Sequence, residues 1–287
     1  MNYRNYSWAF SMALGLHVLM PGVPAIAQSA NTLVERAQSA YESGNLPQAA
    51  RLWQAVVQAQ PDNGYAYAWL GYVLEQQGQT GEAIATYRQA IELSPNDAVT
   101  LNNLGGLLTG QGELEEAIQL LRRAVRLNRN YARAYNNLGI ALRQNGQAAD
   151  AVGVYRRAIR LEPEYAEVYD NLGVALASLG QLEEAVLAHR QAIALRPENP
   201  AIAYTNLGVS LLELGQSGAA IAAYQRAIQL NPDYALAYRN LGDAWVSVGR
   251  TAEAAAAYRE ALDLNPRDAI ARRALERLEP RQYRRRS

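Results

Sequence analysis

Apolar residues recur at i, i+3, i+4 and i+7 along most of this 287-residue chain, in short stretches that come in pairs. Between Ala132 and Tyr165 the first stretch places Tyr135, Leu138, Gly139 and Leu142 on one helical face. Gly146 then ends it, as a residue tolerant of left-handed backbone does. The second stretch aligns Ala151, Tyr155, Ala158 and Ile159, and Pro163 closes the pair because proline cannot continue a helix. The pattern predicts a helix, a tight turn and a second helix. It then returns: Gly71, Gly105, Gly139, Gly173, Gly208 and Gly242 are 34, 34, 34, 35 and 34 residues apart. A fixed period of that size implies stacked units, each burying its apolar faces against the next.

Seven such units are legible. Their turn glycines are Gly44, Gly78, Gly112, Gly146, Gly180, Gly215 and Gly249; their second helices carry Ala49, Ala83, Ala117, Ala151, Ala185, Ala220 and Ala254. A glycine inside a helix costs roughly 1 kcal/mol relative to alanine. Its repetition at one register therefore requires a packing reason. Ala151 is the small residue expected to face Gly139, so that two helices approach closely. Departures are local. Ala37 stands where the first unit would have its glycine, and Arg129, between Asn128 and Asn130, replaces a closing proline. One residue is inserted near Glu198-Asn199-Pro200, and His189 takes a position that is tyrosine in other units.

Tyr-Asn-Asn-Leu-Gly, followed in register by Gly, Ala, Tyr, Ala and Pro at this period, resembles the tetratricopeptide repeat. The resemblance spans about Asn31 to Asp268. It implies an all-α protein, a right-handed α-solenoid of about seven helix-turn-helix repeats with a C-terminal capping helix. The repeats run over about 30–63, 64–97, 98–131, 132–165, 166–200, 201–234 and 235–268, within an array of 28–268. Residues 269–280 form the cap and 281–287 a basic tail. Thr32-Leu33-Val34-Glu35 reads as a capping box opening the first helix. In the cap, Arg272, Arg273, Glu276 and Arg277 are expected to face water.

Residues 1–27 read as an export signal. Arg4 and the amino group precede an apolar run from Trp8 to Met20; Pro21 and Pro24 break it, and Ala25-Ile26-Ala27 is a small-x-small cleavage site. The run falls short of the ~20 residues that span a bilayer, although an uncleaved anchor is the alternative. The expected destination is the periplasm or the exterior. The chain has no cysteine, which excludes disulfides, thiolate chemistry and a lipid-modified cysteine. Its 27 basic residues, all arginine, balance 27 acidic ones, which argues against nucleic acid as a partner.

The buried face of each first helix defines the face left over. If Leu138, Gly139 and Leu142 point inward, then Arg133, Asn137, Ile140 and Gln144 lie opposite at ~100° per residue. The register of Asn137 holds Asn103, Asn171, Asn206 and Asn240 in other units, and Trp69 in the second. Around it stand apolar residues, among them Val99, Ile140, Val174, Ile202, Val209 and Leu236. Asparagine is a mediocre helix former whose amide both donates and accepts. Such a ladder suits two roles: reading the backbone of an extended peptide, or tying neighbouring repeats together. In the tetratricopeptide family the first helices line the concave surface, which commonly binds extended peptides. Tyr65, Trp69, Tyr72 and Trp245 are candidate aromatic anchors. The family's lysine-rich clamp for acidic C-termini is not reproduced: lysine is absent, and the positions beside the ladder are Asn136, Asp170, Thr205 and Arg239.

No phosphate loop, nucleophile elbow or zinc-protease motif is present, and the two histidines cannot recruit a cysteine, so neither metal nor cofactor is expected. Glu115, Glu116, Glu183 and Glu184 open second helices, where they complement the dipole. The expected function is a non-enzymatic scaffold for protein or extended peptide. The alternative is a self-associating assembly protein of a cell-envelope complex. The tail Arg281 to Arg286 offers a weak contact with acidic surfaces.

Overall fold

A computed structural model describes residues 25–279, and among these the chain forms fifteen helices and no strand. The described residues divide into two compact units, with the boundary between Asn145 and Gly146. The export signal up to residue 24 and the basic tail lie outside the described residues.

The first unit contains α1 (Ala25–Glu42), α2 (Leu46–Ala59), α3 (Gly64–Gln76), α4 (Thr80–Leu93), α5 (Ala98–Gln111), α6 (Leu114–Leu127) and α7 (Ala132–Gln144). Each helix packs on the next, and α5 also touches α7. The helix α1 begins at Ala25, so Thr32 and Glu35 lie inside it and are not its cap. The alanine-rich stretch after Pro24 contains no breaker and continues the helix toward the N-terminus. The expected cleavage site therefore falls in the first turn of α1. Where Arg129 replaces proline, Asn128 holds the turn by accepting the backbone N–H of Asn130 at 3.1 Å.

The second unit contains α8 (Ala148–Leu161), α9 (Ala166–Ser178), α10 (Leu182–Ala194), α11 (Pro200–Glu213), α12 (Ser217–Leu230), α13 (Ala235–Ser247), α14 (Thr251–Leu264) and α15 (Ala269–Leu278). Again each helix packs on the next, and the first helices α9, α11 and α13 touch in series. The inserted residue is absorbed after α10. There Arg196 takes φ of 56°, the one non-glycine positive value among the described residues, and Pro200 opens α11 at its first turn. The terminal helix α15 lies within the 269–280 read from the sequence and starts at Ala269. Asp268 caps it by accepting from the N–H groups of Ile270 and Ala271 at 2.9 and 3.0 Å. Burial pushes the Asp268 carboxyl up, but the Ala271 N–H and the Arg239 guanidinium outweigh it and hold the group below its usual range. Arg272, Arg273, Glu276 and Arg277 are exposed, as expected.

All seven turn glycines have positive φ, between 73° and 82°. The mid-helix glycines serve another purpose, and here the expectation of a glycine-on-alanine contact is corrected. A Cβ at Gly71, Gly105, Gly173, Gly208 or Gly242 would lie 2.8, 2.6, 2.5, 2.5 and 2.5 Å from Tyr87, Leu121, His189, Tyr224 and Tyr258 respectively. Each partner is sixteen residues beyond its glycine. The glycine thus leaves room for a large side chain of the second helix. Tyr87, Leu121, His189, Tyr224 and Tyr258 are all at most 1% exposed. Burying each stabilises the array by about 2 kcal/mol, more than the roughly 1 kcal/mol that glycine costs the helix.

Candidate functional site

With a large second-helix side chain, a ring in all but α5, filling one face of each of these first helices, the opposite face carries the half-exposed side chains. In the first unit that face is closed at its N-terminal end. Trp69 and Tyr72, expected as anchors, are 7% and 1% exposed and belong to the core. The reason is α1, whose Tyr41 packs against both rings with centroids 5.5 Å away and whose hydroxyl meets that of Tyr72 at 3.0 Å. Trp53 stacks on Trp69 at 5.5 Å with planes 6° apart. Tyr65 remains half-buried and accepts from Gln38 Nε2 at 3.1 Å.

The ladder positions differ among themselves. Asn103 is buried at 9% exposure; its Nδ2 donates to Tyr87 Oη at 3.4 Å and its Oδ1 accepts from Asn102 at 3.2 Å. Asn137 is half-buried and donates from Nδ2 to Asn102 Oδ1 in the preceding repeat at 2.9 Å. In the second unit Asn206 does the same to Asp170 Oδ2 at 2.9 Å. Asn171 and Asn240 are half-buried at the same register, as are Ile140, Val174 and Val209 one turn along. The donors of Asn137 and Asn206 are thus spent on the neighbouring repeat. Their partners were visible in the chain as the residues just before the ladder, Asn102 and Asp170, both acceptors.

Asp170 joins three helices. Its Oδ1 lies 2.7 Å from Nδ1 of His189, which is 1% exposed, while its Oδ2 serves Asn206. The imidazole replaces a tyrosine ring over Gly173 and is structural in its surroundings. Other second-helix hydroxyls also reach first-helix acids: Tyr87 Oη donates to Glu75 at 2.8 Å and Tyr258 Oη to Asp243 at 2.6 Å. Burial pushes the Glu75 carboxyl above its usual range, against the opposing pull of Tyr87 and Arg133. Burial, then the charge of Asp243 and of Glu213, raises the Tyr224 phenol far above its ordinary value. Among the described residues no group of three or more His, Cys, Asp or Glu side chains is arranged to hold a metal ion.

Paired helices with a turn glycine and a glycine-on-ring contact define a tetratricopeptide array, and comparison with known families agrees. Models described as tetratricopeptide repeat match residues 34–98, 205–269 and 86–119, and one described as TPR repeat matches 105–146, 141–180 and 175–215. The chain belongs to the tetratricopeptide repeat family. Among solved structures it resembles a chain of the APC/C hetero-tetramer Cut9–Hcn1, with TM-score 0.71 and 20% identity over 85% of this chain; it spans 48% of that chain. A tetratricopeptide repeat protein from Parabacteroides merdae gives TM-score 0.69 and 18% identity, covering 88% of this chain and 99% of that one. YrrB, a TPR protein with an unusual peptide-binding site, gives TM-score 0.52 and 26% identity over 66% and 96% of the two chains. Comparison with curated proteins found no match.

Proposed function

We propose that the chain is an exported, non-enzymatic scaffold that holds a protein or extended peptide on the first-helix faces of its repeats. The observation that carries this reading is the recurrence of amides and branched apolar residues at one register. In the second unit Val174, Val209 and Leu236 are half-exposed and Ile202 is 39% exposed, while the opposite side of each first helix is packed. Such a mixed surface fits an extended polypeptide better than bare water. The half-buried Asn171 and Asn240 stand at the same register on that face. The likeness to YrrB, a TPR protein with an unusual peptide-binding site, supports the same reading.

Crosslinking capture from the native envelope tests it. Ile202→Asn with Leu236→Asn should lose the captured partner while helicity and melting stay unchanged; undiminished capture would overturn this surface as the docking face. The pair Asn137→Ala and Asn171→Ala separates the two roles of the ladder. Lost capture at constant stability assigns the amides to the ligand; lost stability with capture retained assigns them to repeat stacking.

Self-association is the rival reading, favoured by Ile270, which is 59% exposed on the terminal helix α15. A concentration-dependent mass in sedimentation that Ile270→Glu abolishes would support it.

A further inference from the structure

We propose that the partner segment docked by the second unit is cationic: an extended polypeptide that alternates apolar residues with arginine or lysine. This deepens the docking reading and rests on it.

The charges on the first-helix face of this unit are of nearly one sign. Glu167 and Asp170 on α9, Glu213 on α11 and Asp243 on α13 stand there against one base, Arg239. Arg239 is already committed, with its guanidinium 3.2 Å from Asp268. Asp170 is committed as well, to His189 and Asn206. Glu213 and Asp243 are exposed, and among the described residues no arginine lies within ion-pair distance of either, nor of Glu167. Asp243 gives one oxygen to Tyr258 and keeps the other free for a ligand. Two acids of the second helices are ion-paired, Glu184 with Arg156 at 2.8 Å and Glu253 with Arg250. On the docking face no such pair neutralises Glu213 or Asp243.

Position reinforces charge. Glu213 and Asp243 stand on α11 and α13, first helices that pack directly on one another, and the charge of each adds to the rise of the Tyr224 phenol. Exposed Val246, at 44%, lies one helical turn beyond Asp243, and the half-exposed Val209 and Leu212 lie within the turn before Glu213. An occupant needs an apolar contact with a positive charge beside it. A neutral apolar strand would leave the carboxylates desolvated and unpaired, and an acidic one would be repelled. Arg281, Arg284, Arg285 and Arg286 of the chain itself carry the same chemistry, so the tail is a natural competitor in any assay.

The test uses fluorescence anisotropy with the full chain and three labelled nonapeptides of alternating valine with arginine, glutamine or glutamate. The arginine peptide should bind at least tenfold more tightly than the other two. Its affinity should fall at 0.5 M salt, and Glu213→Gln with Asp243→Asn should weaken it about tenfold at unchanged circular dichroism. Glu276→Gln on the exposed face of α15 should leave it alone. Stronger binding after deletion of residues 280–287 would support the inference and mark the tail as the competitor. Equal binding of the arginine and glutamine peptides, indifferent to the two acid variants, would overturn the cationic preference and leave peptide docking standing. If no peptide binds even without the tail, the inference falls, and the envelope capture experiment alone decides the docking reading.

Discussion

Replacing Gly208 by alanine asks whether the glycine register exists to admit a ring. The added Cβ would lie 2.5 Å from Cε1 of Tyr224 and 2.8 Å from both Cδ1 and Cζ. The ring cannot retreat easily: it is 1% exposed and packed in a cluster with Leu207, Leu211, Ile221 and Leu241. Overpacking of a core costs about 1–3 kcal/mol, and three close ring atoms place this case at the upper end. Alanine returns about 1 kcal/mol of helix propensity. The net loss is about 2 kcal/mol, a fall in Tm of about 4–8 °C. The same substitution at Gly218, where a Cβ meets nothing within 4 Å, should stabilise by about 0.5–1 kcal/mol. Thermal unfolding followed by circular dichroism reads both. A third variant isolates the contact: in a Tyr224→Ala background the cost of Gly208→Ala should disappear. Two variants that shift Tm in the same upward direction would refute the ring-accommodation account.

Three further outcomes are expected. His189→Ala should cost about 3–4 kcal/mol, since it empties the space over Gly173 and strips Asp170 of a buried partner. A double-mutant cycle with Asp170→Asn should show coupling above about 1 kcal/mol by urea unfolding, and strict additivity would deny the bond that role. Glu75 titrates above the ordinary glutamate range, chiefly because of burial, so the folded protein binds the extra proton and stability declines as pH rises through and above that range. Glu75→Gln should therefore gain on the wild type in urea midpoint between pH 4 and pH 8, and a difference that stays flat with pH would contradict it. At the turn, Gly180→Ala must hold a side chain at φ of 73° and should lose about 1–2 kcal/mol in the same unfolding assay.

The period, the helix pairs and the turns were written locally, and that is why they were legible. A turn glycine at Gly146 or Gly249 depends only on the backbone conformation of its own residue, and the apolar stripe of α7 or α13 depends only on helical spacing. The start of the terminal helix α15 is local for the same reason: Asp268, immediately before it, caps its first turn. The partner of each mid-helix glycine was not local. It is the residue sixteen positions on, brought over the glycine by the angle at which two helices cross, and sequence spacing alone could not distinguish it from the nearby alanine. Trp69 and Tyr72 occupied the register of an open face, yet Tyr41 of α1 covers them.

The same division runs through the candidate site. The ladder of Asn103, Asn137, Asn171, Asn206 and Asn240 is a property of the chain, because the period repeats it. How the amides are spent is decided by tertiary structure. Asn137 and Asn206 reach back to Asn102 and Asp170, whereas Asn103 turns in to Tyr87, since stacking sets which acceptor lies within 3 Å or so of each donor. Likewise the counts of 27 acids and 27 bases made the chain look neutral. Only the folded arrangement decides which charges pair, joining Glu184 to Arg156 while Glu213 and Asp243 have no ion-pair partner. Covalent order fixed which residues each repeat would carry; the packing of one helix on the next, acting over distances no window of sequence spans, settled which of them meet each other and which are left to meet a partner.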